Sequence, residues 1–389
     1  MAVQHGFGSA SSTNLIFGYD TIDTTNSYLG EPTTNAFTNP AFTSGTSGWT
    51  FGSWDSSRYT YTTENTMGPF GEIVPALKVI RTTSDTSYAH FHQYNGGKFT
   101  NGNTYTISAY VKGAGTLGQY NQGGYGPITY SPGQLVTLTN NWQRISYTLT
   151  SQTNSLYPYW AAEGITQNVP MYFTFAQTEQ NSHATPFVTG NRTATTGLLD
   201  LTGNHQINIA NASFNSSAQI VFDGTTDLIY TQNSDILNPN SNSFTIETVF
   251  NCSNSNTGEG ILYNKENLYE GAVQGQYFRF AWQPYWSWEG STTFSVASNT
   301  WYHAVVTYDK SSQRMYKNGV EVFSRAQGGN IGSNSNVLSI GARGVDTNGG
   351  SGYNFFPGQI PITRIYNRAL SQAEITQNFK KYQTRFGIS

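Results

Sequence analysis

Short stretches of alternating apolar and polar side chains dominate the chain from about residue 39 onward. Residues 105–111, 171–175 and 244–250 are clear examples, rich in Thr, Tyr, Val, Ile or Phe. A period of two predicts strands with one buried face. Clusters of Gly, Asn, Pro and Ser separate the stretches and predict turns. We therefore expect an all-β protein made of β-sandwiches or jelly rolls.

One helix is predicted, close to the C-terminal end. Ser371 and Glu374 have the spacing of a capping box, in which each side chain binds the backbone of the other residue. Ile375, Phe379 and Tyr382 then lie on one face at helical spacing. This segment predicts a short amphipathic helix packed on a sheet.

The distribution of these patterns predicts two tandem β-sandwich jelly rolls behind an extended N-terminal arm. The expected boundaries are 1–37 for the arm, 38–190 for the first sandwich, 191–197 for a linker and 198–389 for the second sandwich. The arm is polar, with Phe7, Phe17 and Tyr19 as anchors that become ordered on a partner. The alternative is an arm without a docking role.

The composition excludes several classes of protein. Only 11% of residues are charged, 15% are aromatic, and the net charge is -3. Nucleic-acid binding needs clustered Lys and Arg, which are absent. Disordered chains combine few aromatic residues with high net charge, the reverse of this composition. We expect a surface of uncharged polar and aromatic side chains.

Cysteine content and hydropathy limit the environment of the protein. Cys252 is alone, so no intrachain disulfide can form. The N-terminal sequence lacks the basic and apolar regions of a signal peptide. No apolar run approaches the ~20 residues of a membrane helix. We expect synthesis in the host cytoplasm and no membrane insertion.

Several motifs in the second half occur in an order typical of one family. They are the strand WYHAVVTYD at 301–309, the hairpin turn Asn318-Gly319, and the ending YNRALS at 366–371. From about residue 198 to 386 the chain resembles a concanavalin A-like jelly roll of the laminin-G-like type. Since that family includes lectins, adhesion modules and structural domains, the resemblance implies a fold and leaves the ligand open.

The first half more weakly resembles carbohydrate-binding-module jelly rolls. The matching pieces are residues 39–42, Gly48-Trp49, and the strands at 102–112, 141–147 and 175–179. The segment ATPFV at 184–188 resembles the exit of such modules in bacteriophage virion proteins. The combination resembles a phage structural or appendage protein.

The most conspicuous aromatic stretch is the loop QPYWSWEG at 283–290. Tyr285, Trp286 and Trp288 can stack against the apolar face of a sugar ring, while Glu289 accepts hydrogen bonds from hydroxyls. The alternative is that these rings pack against a neighbouring domain or subunit. We predict them as glycan-binding residues.

A glycine-rich stretch at 118–127 carries Tyr120 and Tyr125. One interpretation is a second glycan-binding loop, and the other is an ordered loop that forms subunit contacts. Tyr157, Tyr159 and Trp160 form a similar, shorter group.

Metal binding has two weak candidates. His90 and His92 share one strand face, but no third His or Cys is nearby. Asp346 and Asn348 lie in a loop with oxygen ligands suited to calcium, although the ligand number of a dedicated site is lacking. We expect no cofactor, with calcium as the one candidate ion.

The motifs of catalysis are missing. Glycoside hydrolysis needs two carboxylates that flank the scissile bond. The strand signature Glu-x-x-Asp-x-x-Glu does not occur, and Glu266 and Glu270 lie in a segment that resembles a loop. We expect that the protein is not an enzyme.

Together these features predict a virion-surface structural protein of a bacteriophage: a capsid, neck or tail fibre or decoration protein. Expected partners are other virion proteins, further copies of the chain in a homo-oligomer such as a trimer, and cell-surface glycans bound weakly through many copies. One alternative is a purely structural decoration protein without glycan binding. Another is a non-viral lectin-like protein or glycosidase.

Overall fold

The chain folds into two compact units, one of which is inserted into the other. In the computed structural model, Pro32–Arg192 form one unit, here called the inserted unit, and residues 12–31 join Thr193–Ser389 in the discontinuous unit. The structure describes residues 12–53, 57–86, 89–93, 99–122, 134–152, 154, 157–217, 219–255, 258–283 and 293–389.

Strands account for almost all regular structure up to residue 192. In chain order they are β1 (Leu15–Asp20), β2 (Thr33–Thr34), β3 (Thr50–Ser53), β4 (Tyr59–Met67), β5 (Ile73–Arg81), β6 (Ala89–His92), β7 (Thr104–Lys112), β8 (Thr116–Gln122), β9 (Gln134–Thr137), β10 (Gln143–Thr150), β11 (Tyr157–Ala161), β12 (Met171–Glu179) and β13 (Asn191–Arg192).

The remaining strands, with one 3-10 turn at Asp235–Leu237 and one helix, belong to the discontinuous unit. They are β14 (Asn208–Ala210), β15 (Ser213–Phe214), β16 (Ile220–Asp223), β17 (Leu228–Thr231), β18 (Phe244–Cys252), β19 (Glu259–Lys265), β20 (Tyr269–Gln274), β21 (Tyr277–Trp282), β22 (Trp301–Tyr308), β23 (Ser312–Lys317), β24 (Val320–Ala326), β25 (Leu338–Ile340), β26 (Pro357–Tyr366) and α1 (Gln372–Phe386).

Two five-stranded sheets form the inserted unit, in the orders β10-β7-β12-β5-β4 and β3-β6-β11-β8-β9. Between them lies an aromatic core in which Trp160 is within 5.7 Å of Phe91 and 4.7 Å of Phe173, measured between ring centroids. The short pair β2–β13 joins the first and last residues of this unit.

The discontinuous unit also contains two sheets. One has the order β15-β16-β26-β18-β22-β23-β24, with β1 paired to β26, and the other has the order β14-β17-β25-β19-β20-β21. All pairings of named strands in both units are antiparallel. The all-β fold class predicted from the sequence is confirmed, and the sandwiches follow one another by insertion.

Strand β1 lies within the discontinuous unit, where an arm was expected. It pairs with residues 362–366 of β26, on the edge that β16 covers only at 357–359. Phe17 is 2% exposed and Tyr19 is fully buried, and the Tyr19 hydroxyl donates to the carbonyl of Ile360 at 2.7 Å. The prediction that Phe17 and Tyr19 anchor a docking arm is therefore wrong, because both rings fill the core of their own chain. Phe7 lies outside the described residues, and its docking role stays a prediction.

The C-terminal helix begins and ends as its sequence predicts. The Ser371 hydroxyl accepts from the Glu374 backbone N–H, the Glu374 carboxylate accepts from the Ser371 N–H, and Gly387 closes the helix in the left-handed conformation. Ile375 and Tyr382 are buried against the sheet. Among the described residues, no helix has the length and apolar character needed to cross a bilayer.

A buried carboxylate lies beneath this helix. Glu247 on β18 is 2.8 Å from the His303 ring nitrogen Nε2, and it accepts from the Tyr366 hydroxyl at 3.1 Å. The Asn378 amide of α1 donates to both Glu247 oxygens at 3.0 and 3.1 Å. Burial raises the pKa of Glu247, but the hydrogen bond from His303 and its other partners lower it more, and the net shift is downward. These partners fasten α1 to the sheet.

Candidate functional site

An aromatic cluster covers the outward face of the β3-β6-β11-β8-β9 sheet. Neighbouring residues along a strand point to opposite faces, and Phe91 and Trp160 lie in the core. The side chains next to them in sequence therefore point outward. We call this cluster the Tyr–His face; its members are His90, His92, Tyr120, Tyr157 and Tyr159.

Sheet pairing brings these five rings together. Tyr159 lies directly opposite His92 on one side and Tyr120 on the other. Its ring centroid is 5.4 Å from that of Tyr120, in a stacked arrangement, and 5.7 Å from that of His90. His92 lies 5.1 Å from both His90 and Tyr157. The result is a continuous aromatic cluster across β6, β11 and β8.

Two glycines give these rings room to lie along the sheet. A Cβ atom on Gly52 would be 2.2 Å from the His90 ring, and one on Gly118 would be 2.2 Å from the Tyr120 ring. Leu135, opposite Gly118 on β9, is 68% exposed and extends the apolar area. Any larger residue at either glycine would push an aromatic ring away.

The histidines of this face are neutral at pH 7. Burial lowers the pKa of His90, and burial together with the neighbouring His90 lowers the pKa of His92 to about 4. Neutral imidazole rings offer one N–H donor and one nitrogen acceptor each. The face therefore combines apolar ring surface with hydroxyl and imidazole hydrogen-bonding groups, without net charge on these five side chains.

A second polar cluster lies on β19 and β20 of the discontinuous unit. Arg343 is 3.0 Å from Glu266, 3.3 Å from Glu270 and 3.6 Å from Glu259, measured from guanidinium nitrogen to carboxylate oxygen. The Asn264 amide donates to Glu270 at 2.8 Å. This cluster joins the two residues, Glu266 and Glu270, whose spacing the sequence singled out.

Glu270 is the most perturbed carboxyl of the Arg343 cluster. Burial raises its pKa to about 7, against the opposing charge of Arg343. Proton-transfer residues have such values, but structural ion-pair networks produce them as well. Since Arg343 and Asn264 already engage the carboxylate, we assign Glu270 no catalytic role.

The predicted glycan-binding residues divide into two groups. Tyr120 lies in the Tyr–His face, half-buried on β8. Tyr285, Trp286, Trp288, Glu289 and Tyr125 lie outside the described residues, and their roles stay predictions. Trp160, grouped with Tyr157 and Tyr159 in the sequence, points inward and is fully buried.

The calcium candidates form a self-contained turn. Asp346 accepts from the backbone N–H groups of Asn348 at 2.8 Å and Gly350 at 3.0 Å, and from the Ser351 hydroxyl at 3.3 Å. Within the described ranges, no group of three or more His, Cys, Asp or Glu side chains is arranged to hold a metal ion. The turn explains these residues without a bound cation.

A sequence signal for the Tyr–His face exists, but it is incomplete. His90 and His92, like Tyr157 and Tyr159, alternate with core residues, which indicates outward-pointing pairs. The order β6-β11-β8, which places these pairs and Tyr120 side by side, comes from long-range pairing. Alternation alone predicts a face but not its neighbours.

The discontinuous unit has the fold of a lectin-like domain. Residues 223–376 match a family model described as the concanavalin A-like lectin/glucanases superfamily. This agrees with the resemblance read from the strand at 301–309, the hairpin turn and the 366–371 ending. No curated protein matches the chain.

Solved structures with a similar fold include three bacterial binding proteins. The botulinum neurotoxin serotype D binding domain is 14% identical, with 50% of each chain covered and a TM-score of 0.39. The Paraclostridial Mosquitocidal Protein 1 binding domain is 17% identical, covering 48% of this chain and 49% of that one, with a TM-score of 0.38. A structure titled for the dependence of botulinum neurotoxin type C cell entry on two ganglioside molecules is 17% identical over 48% and 49%, at 0.39. The matched region covers about half of each of these chains.

Proposed function

We propose that this chain is a non-catalytic carbohydrate-binding protein, and that the Tyr–His face of the inserted unit is its glycan-binding surface. The observation that carries the proposal is the row of uncharged aromatic rings across β6, β11 and β8. Sugars present C–H groups on one side of the ring and hydroxyls around its rim. Aromatic side chains with polar ends suit both.

The character of this face favours neutral sugars. Its histidines are neutral at pH 7 because burial lowers their pKa, and its other members are tyrosines. Tyr120, Tyr157, His90 and His92 are partly exposed, while Tyr159 is 3% exposed and supports the rings around it. Neutral hexoses meet no electrostatic cost on such a surface.

A glycan array with the wild-type protein, followed by calorimetry, tests this proposal. The variants Tyr120→Ala and Tyr157→Ala remove half-buried rings of the face, and we expect each to weaken binding of neutral glycans at least ~10-fold, in the range of lost aromatic contacts. Tyr277→Ala, in the discontinuous unit, is the matched control and should bind as wild type does. Unchanged affinity in both face variants would disprove the assignment of the site.

We further propose that the protein works on the surface of a bacteriophage virion, as a capsid, neck or tail fibre or decoration protein assembled from several copies. The resemblance of both halves to modules of phage appendage proteins supports this role, and weak glycan affinity would be multiplied by copy number. Antibodies against the chain should label gradient-purified particles. Particles that lack the chain would refute this role, and particles that carry it without glycan binding would favour pure decoration.

A further inference from the structure

The other sheet of the inserted unit carries a second aromatic surface, and this surface contains cations. Its outward side chains include Phe70, Tyr110, Lys112, Arg144, Tyr172 and Phe175, which we call the cation–aromatic face. Ile107, Ala109 and Val111 of β7 lie in the core, so the alternating Tyr110 and Lys112 point outward. Lys112 lies directly opposite Tyr172, and Tyr110 opposite Arg144.

Phe175 occupies this face in a strained conformation. Its φ is 52°, in the left-handed region that bulky side chains rarely adopt. It lies where the β12–β7 register shifts between Thr174 and Gln177, and such bulges redirect side chains. Here the ring of Phe175 stacks on Phe187 at 4.6 Å and on Phe70 at 6.2 Å. Backbone strain of this kind concentrates at functional sites.

Phe70 extends the face from the turn between β4 and β5. It is 67% exposed, and its ring meets Tyr110 edge-on at 5.3 Å. A phenylalanine this exposed, placed beside other rings, marks an interaction surface.

Two cations of this face have no carboxylate partner among the described residues. The Lys112 ammonium lies 4.8 Å from the Trp142 ring centroid and 4.9 Å from that of Tyr172, and it donates to the Thr66 hydroxyl at 3.1 Å. The Arg144 guanidinium lies 5.7 Å from the Tyr110 centroid. Lys78, by contrast, pairs with Glu64 at 2.6 Å.

Arg144 also keeps donors in reserve. It donates to the Ser108 hydroxyl at 3.1 Å and to the Thr185 carbonyl, while its buried Nε has no hydrogen-bond partner within the described residues. A guanidinium carries more N–H groups than these contacts use, in a geometry that fits a carboxylate.

We propose that the cation–aromatic face binds an acidic polysaccharide whose sugars carry carboxylates, such as a polyuronate. The rings of Phe70, Phe175 and Tyr172 would contact sugar C–H groups, and Arg144 and Lys112 would pair with carboxylates. Aromatic rings together with unpaired cations fit this ligand better than a neutral glycan, which would leave both charges uncompensated. The inference concerns a different sheet from the Tyr–His face and does not depend on it.

Calorimetry with the whole chain and alginate, a polyuronate, tests this inference, with carboxyl-reduced alginate as the matched neutral polymer. We expect wild type to bind alginate at least 10-fold more tightly than the reduced polymer, with affinity falling as salt rises. Arg144→Gln, Lys112→Gln and Phe70→Ser should each lose at least 5-fold in affinity. Lys380→Gln, which removes one exposed positive charge from α1, is the control and should bind as wild type does.

Three results would overturn the inference. The first is equal affinity for alginate and its carboxyl-reduced form. The second is unchanged alginate binding in both Arg144→Gln and Phe70→Ser. The third is a wild-type dimer in sedimentation analysis that Phe70→Ser dissociates, because the face would then bind a second copy. The Tyr120→Ala and Tyr157→Ala variants should retain alginate binding, which separates failure of this site from failure of the Tyr–His face.

Discussion

Replacement of Phe17 by alanine separates a core strand from a docking arm. In the structure, Phe17 is 2% exposed on β1, and its ring lies 5.8 Å from that of His205 and 6.5 Å from that of Tyr19. The Phe17→Ala variant therefore leaves a cavity between β1 and the rest of the discontinuous unit. An arm would show no such effect.

The expected destabilisation follows from burial. Phe→Ala in a packed core costs about 3–5 kcal/mol, a large part of the roughly 5–15 kcal/mol that stabilises a domain. For a unit of this size, 1 kcal/mol shifts the midpoint by roughly 2–4 °C. We therefore expect the melting temperature of the discontinuous unit to fall by about 6–20 °C.

Differential scanning calorimetry provides the measurement. Thr24→Ala, an exposed position shortly after β1, is the control and should melt within about 2 °C of wild type. Tyr19→Phe adds a finer test, because it removes the donor to the Ile360 carbonyl and keeps the ring; it should cost about 1–3 kcal/mol. A Phe17→Ala protein that melts as wild type does would refute the burial of β1 and restore the arm.

Two further predictions concern the helix and the hairpin. Glu247→Ala leaves the buried partners of the carboxylate unpaired and should cost about 3–5 kcal/mol in urea unfolding. Since the native pKa of Glu247 lies below its ordinary 4.5, its stabilisation is complete above pH 4.5 and is lost as the pH falls through the native pKa; the variant should lose stability less steeply there, and an identical acid profile would contradict this. Gly319→Ala should cost about 1–2 kcal/mol because φ is 79° and the new Cβ would lie 2.9 Å from Phe379, whereas Gly258→Ala, in open space, should melt unchanged.

Local patterns were sufficient for the class of fold and for individual elements. Residues 244–250 and 301–309 became β18 and β22, and Asn318-Gly319 forms the turn between β23 and β24 with φ of 50° and 79°. The capping box at Ser371 and Glu374 is formed as predicted. These features depend on interactions within a few residues, so the sequence contains their full signal.

The position of β1 required the tertiary structure. Leu15, Ile16 and Phe17 form a short apolar run among polar residues, which fits a docking anchor and a buried strand equally well. What decides between them is the free edge of β26 at residues 362–366, more than 300 residues away. The insertion of the whole unit at Pro32–Arg192 has the same origin, because only the return of the chain to the first sandwich defines it.

By itself, the sequence determined strands, turns, one capped helix, and which side chains of each strand share a face. Only the tertiary structure decided which faces meet: it set His90, His92 and Tyr157 beside Tyr120, and Arg144 beside Tyr110. The reason is physical, since alternation arises from the geometry of one strand, whereas strand order arises from pairing and burial between segments far apart in the chain.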